Sequence, residues 1–117
     1  MRAIWIDAER REITEIALPD RGDGRLEAMQ RAVGGNIDAA FDLPHSPGHS
    51  ETLYVDEEGL LKGYSYGFAW TGAPQEFYAG SGLVSAYDPS TGETCASSMA
   101  VEKVREHVTF LLFLPLA

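Results

Sequence analysis

Apolar and polar positions along this chain change period several times, and each change marks an element. RAIWI (2–6) reads as a strand, and EITEIAL (12–18) reads as its hairpin partner across DAERR. Ile13 and Ile16 break strict alternation, which leaves the register, or a bulge, open. PDRGDG (19–24) is a turn cluster of proline, glycine and aspartate. Leu26, Met29 and Val33 then recur at helical spacing, with Glu27, Gln30 and Arg31 on the other side, predicting a helix near 25–33. Asp23 or Gly24 stands near its N-cap, but Leu26 three residues after Asp23 rules out an Asp23 capping box.

Gly34 and Gly35 follow that helix. A phosphate-cradling glycine loop belongs between a strand and the start of a helix, where free amides point at the anion. Here the pair stands at the far end, where the helix dipole has the wrong sign for phosphate. The reading is helix termination, with Gly34 taking the left-handed conformation that costs glycine least. Close approach by a ligand or a partner backbone is the alternative.

NIDAAFDL resumes with period two, placing Ile37, Ala39, Phe41 and Leu43 on one side. PHSPGHSE (44–51) reads as a loop, because two prolines and a glycine deny it regular structure. TLYV enters a strand, DEEG turns it, and LLKGYSYGFAW leaves on another. In the latter, Tyr64, Tyr66, Phe68 and Trp70 share one parity, against a row of Gly63, Ser65, Gly67 and Ala69. EFYAGSGLVSAYD (76–88) reads as a strand interrupted at Gly80–Gly82 or as two short strands, and TCAS as a short return strand. Ser97 or Ser98 is the expected cap of a helix over 99–107, striped by Ala100, Val101 and Val104. HVTFLLFL is too apolar for an exposed strand and reads as a buried strand or a continuation of that helix. Many short strand patterns against two helical ones predict an α+β fold, a mainly antiparallel curved sheet packed with two helices. At 117 residues and 44% hydrophobic composition, one domain over 1–117 is expected.

Charge narrows the function classes. Eighteen acidic residues against nine basic ones give −9, and no basic run exists, so direct nucleic-acid binding is not expected. No window approaches the roughly 18 apolar residues of a membrane span, and the apolar patch at the start is too short for a signal-peptide core. Cys95 is the sole cysteine and forms no internal disulfide, which fits a reducing compartment. A cytoplasmic location is the expectation.

Candidate chemistry is sparse. His45 and His49, with Glu51 nearby, are a conceivable zinc set, and His107 or Cys95 would have to supply a further ligand by folding. HEXXH is absent, so no metal and no cofactor are expected. Cys95 has no neighbouring histidine or CXXC partner to lower its thiol pKa. Asp56, Glu57 and Glu58 lack calcium-loop spacing, and GSG at 80–82 lacks the lysine and helix of a phosphate loop.

Met29, Val33-Gly34-Gly35 with Ile37, and Tyr54-Val55-Asp56-Glu57-Glu58-Gly59 followed by Leu60 carry a family resemblance. An aliphatic residue, Leu83 or Val84, follows the later glycine run. With these features residues 1 to 90 resemble DUF3846, a family of small phage and bacterial proteins of unknown function. Its members usually have asparagine where Asp56 stands, and often an asparagine–alanine pair near Gly67–Ala69, whose asparagine is missing here. The resemblance implies occurrence in phages, plasmids and their hosts, and no particular activity.

Two classes of function therefore remain. One is a non-catalytic interaction module that binds a protein partner through an acidic rim around the aromatic strand or the histidine loop. Its candidate surface comprises Tyr64, Tyr66, Phe68, Trp70, His45, His49, Asp56, Glu57 and Glu58. A homodimer would cover any ring the core leaves out. An acidic nucleic-acid mimic is a special case of this class, and the other class is a small metal-dependent enzyme using His45 and His49.

Overall fold

The computed structural model describes residues 1–20, 22–43 and 50–114. The first hairpin pairs β1 (Arg2–Asp7) with β2 (Glu12–Ala17) in unbroken antiparallel register, from Arg2 opposite Ala17 to Asp7 opposite Glu12. The odd spacing of Ile13 and Ile16 therefore needs no bulge. The two side chains lie on opposite faces, and both faces are covered: Ile13 joins one apolar cluster and Ile16 packs against the other.

Helix α1 (Asp23–Val33) leads into β3 (Ile37–Asp42) and β4 (Ser50–Asp56). A 3-10 turn over Gly59–Leu61 follows, then β5 (Tyr66–Trp70), β6 (Tyr78–Ala79), β7 (Gly82–Tyr87) and β8 (Thr94–Cys95). Helix α2 (Val101–His107) runs directly into β9 (Val108–Leu112). The larger sheet has the order β2-β1-β7-β4-β3, with β8 pairing β7, and the smaller has the order β6-β5-β9. Every pairing is antiparallel. This is an α+β fold with two helices packed against antiparallel sheets.

The larger sheet is sandwiched. Met29 and Val33 of α1 cover Ala3 and Leu83 on one face, joined by Trp5, Ile37 and Tyr54. On the other face Ile4, Ile6, Leu53, Val55 and Val84 meet Phe68, Trp70 and Tyr78 of the smaller sheet and Val104 of α2. A strand buried on both sides gives no clean alternation, and β7, at the centre, is buried from Gly82 to Ala86.

Several sequence expectations need correction. The alternation of IDAAFD does not survive, because the register shifts between Ala39, opposite Tyr54, and Phe41, opposite Leu53. The extra residue sends Ile37 to the α1 face and Phe41 to the other, where its ring lies 6.1 Å from Trp70 and 6.5 Å from Tyr78. The segment 59–65 is turn rather than strand. Ser97 and Ser98 do not cap α2, whose N-cap is Ala100 with no side-chain bond; both serines turn to Glu51 instead. The apolar tail is a strand, but a half-buried one at the edge of the smaller sheet, with Leu112 exposed. Among the described residues no helix is long and apolar enough to cross a membrane.

Candidate interaction site

The glycine pair and the acidic turn, with 20 residues between Gly35 and Asp56, meet in space. Gly34 caps α1 with φ 95°, and the amides of Gly34 and Gly35 both donate to the Gln30 carbonyl, at 2.8 and 3.0 Å. Helix termination is the observed role of Gly34. Asp56, at the end of β4, points at this corner and is buried. Its Oδ2 accepts from Lys62 Nζ at 2.8 Å and from the Tyr64 hydroxyl at 2.9 Å, and its Oδ1 accepts the Glu58 amide at 2.9 Å. Lys62 also donates to the Gly34 carbonyl at 2.9 Å. A Cβ on Gly34 would run into the Tyr64 hydroxyl, and one on Gly35 would run into Lys62 Nζ and lie 2.8 Å from Asp56 Oδ1. Both positions are glycine because the network passes within contact distance of the backbone.

Electrostatics follow from these bonds. Burial raises the Asp56 pKa, but the bonds from Lys62, the Glu58 amide and Tyr64 outweigh it and hold the carboxyl below its ordinary value. The Tyr64 hydroxyl is pushed up to about 12 by burial and by the carboxylate it donates to. The site is thus a fixed charge lock joining α1 to the turn.

The next two carboxylates behave differently. Glu57 and Glu58 are exposed, and with exposed Asp38 from β3 they edge a cleft of about 330 Å³. Gly59 lines it, and a Cβ there would lie 2.7 Å from the Ala79 carbonyl oxygen. Leu60 and Leu61 form the lip and are 66% and 86% exposed. Gln75 and Tyr78 also line the cleft.

The aromatic row is divided by the fold. Phe68 and Trp70 are buried in the core of one chain, with Trp70 stacked on His107 at 5.3 Å, and so offer no free surface. Tyr64 and Tyr66 are half-buried, their rings 5.3 Å apart. They line a second cleft, of about 250 Å³, with Asp7, Glu9, Arg10 and Arg31. Burial, then Glu9 and Asp7, raise the Tyr66 hydroxyl pKa. Sequence reasoning did not find this cleft, because its members come from β1, the turn after it, α1 and the start of β5 with the residues before it, and share no spacing. Its two carboxylates face two guanidiniums, with Asp7 3.9 Å from Arg10, so its charges largely offset one another.

His45 and His49 lie outside the described residues. Glu51, considered beside them as a ligand, is a fully buried strand residue. Its Oε1 accepts from the Ser97 hydroxyl, the Ser98 amide and the Ser98 hydroxyl, tying segment 97–99 to β4. Burial, with Asp88 and Glu51 nearby, raises the Cys95 thiol pKa, which opposes thiolate chemistry at neutral pH. Among the described residues no group of three or more histidine, cysteine, aspartate or glutamate side chains is arranged to hold a metal ion.

Comparison with known proteins adds one match. The model of a family described as "Domain of unknown function (DUF3846)" covers residues 1–109, so the match extends beyond the sequence resemblance through the larger sheet and α2 to the start of β9. No curated protein and no solved structure matches the chain.

Proposed function

This chain belongs to the DUF3846 family, and we propose that it is a non-catalytic accessory module of phage or plasmid type that works by binding another protein. The observation that carries the reading is the cleft at the Asp56–Leu61 turn. Two leucines stand out in solvent there beside three exposed carboxylates. Large apolar side chains rimmed by charge mark protein-binding surfaces more than isolated exposed leucines do. The rigid Asp56 lock behind the turn keeps the leucines presented, so little ordering is lost on association. The acidic rim speeds encounter with a basic partner and makes the complex weaken as salt rises.

Affinity capture from host-cell extract, with the native chain and a Leu60→Ser/Leu61→Ser chain compared at low and raised salt, tests this. A partner held by the native chain, released by salt and lost from the double variant is the expected outcome. A partner retained equally by both would overturn the assignment of this surface.

A further inference from the structure

We propose that the cleft behind the leucine lip is a receptor for a single lysine or arginine side chain of a basic partner segment. This rests on the interaction reading above and adds the chemistry of recognition. Three features converge. First, the side-chain carboxylates of Asp38, Glu57 and Glu58 make no ion pair or hydrogen bond among the described residues. The Lys62 ammonium beside Asp56 is committed to that carboxylate and to the Gly34 carbonyl. The cleft thus keeps a surplus of negative charge, unlike the Tyr64–Tyr66 cleft with its two arginines.

Second, Tyr78 lines the cleft, is only 4% exposed, and its hydroxyl lies by the Gln75 backbone without completing a hydrogen bond. An unpartnered buried hydroxyl costs about 1–3 kcal/mol. An incoming N–H donor would satisfy its oxygen. Third, Val55, Ala79 and Leu60 give the walls an apolar character. That suits the methylene stem of a long cationic side chain, whose charged head then meets the carboxylates at the rim. An anionic or wholly apolar ligand would leave those carboxylates repelled or desolvated without a partner.

The test uses octalysine and octaarginine as probes and octaglutamate as control, titrated into the full chain and followed by amide chemical shifts and by fluorescence anisotropy. Expected are shifts centred on residues 55–61 and 75–79 with both cationic peptides and none with octaglutamate. Asp38→Asn/Glu57→Gln/Glu58→Gln should weaken binding about tenfold, a loss of about 1.4 kcal/mol. Glu27→Gln/Glu102→Gln/Glu106→Gln removes the same charge elsewhere on the exposed surface and should weaken it less than about threefold. Tyr78→Phe should weaken binding a fewfold while the unfolding midpoint stays the same or rises, because the unpartnered hydroxyl is removed.

Equal losses from the two triple variants would reduce the effect to bulk attraction and overturn the proposal, as would shifts centred outside the cleft or no binding at all. Partner capture that still depends on Leu60 and Leu61 in that event would leave the interaction reading standing without its cationic receptor. Loss of that dependence would end both.

Discussion

Asp56 and its neighbours Glu57 and Glu58 are chemically alike and consecutive, yet the fold treats them oppositely. Asp56 is the last residue of β4, and the pleat turns it toward α1, where Lys62, Tyr64 and an amide surround it. Glu57 and Glu58 are past the strand end, where no element covers them. One carboxylate holds the structure together, and the other two remain for something outside it. The difference teaches that an acidic triplet is not one unit: the end of a strand divides it into a structural part and a surface part.

The comparison breaks most sharply at the backbone of the lock. Gly34→Val forces a β-branched residue into positive φ and drives its Cβ into the Tyr64 hydroxyl, so the domain should lose about 3 kcal/mol. Urea denaturation measures this directly, and a midpoint equal to the native chain would remove Gly34 from the lock. Asp56→Asn keeps an acceptor for the Glu58 amide but removes the charge facing Lys62. The expected cost is about 1–2 kcal/mol by the same measurement.

Acid sharpens the same point. The Asp56 pKa is lower in the folded state than in the unfolded chain, so the folded state binds its proton less readily. The stabilisation is complete above the unfolded value near 4 and is lost as pH falls through the lower folded value. The native chain should thus lose stability below about pH 4 more steeply than Asp56→Asn, as thermal melts across pH 2–6 would reveal. For Tyr64 the sign is reversed. Its pKa is raised to about 12, so its contribution is full below pH 10 and lost as pH climbs from about 10 to 12, a loss absent in Tyr64→Phe. In neutral solution Tyr64→Phe should cost about 1.5 kcal/mol, the low end for one hydrogen bond to a charged acceptor, which here keeps its other donors.

The smallest effect lies across the divide. Glu57→Gln/Glu58→Gln should change stability by less than about 0.5 kcal/mol, because neither side chain has a partner among the described residues to lose. A stability loss as large as that of Asp56→Asn would show that the two regions are one, and that the rim carboxylates are structural.

Sequence alone determined most of the element types and the class of the fold, because local rules govern them. Leu26, Met29 and Val33 repeat at helical period, Gly34 ends the helix, and interrupted β-rich stretches with glycine and proline turns make strands joined by hairpins. The family was legible too, from the VGG and DEEG segments, which the structure brings into contact through Asp56, Lys62 and Tyr64. What sequence did not reveal is long-range. Reading period two from Ile37 to Leu43 missed the bulge, because nothing local shows that Ile37 faces α1 while Phe41 faces a second sheet. The aromatic row looked like one surface, but only the docking of the smaller sheet onto the larger one decides that Phe68 and Trp70 are core while Tyr64 and Tyr66 reach a cleft. Spacing carries the conformation of a segment and the parity of its side chains. Which side becomes interior is fixed by whatever packs against it from elsewhere in the chain, and that is a property of the tertiary structure.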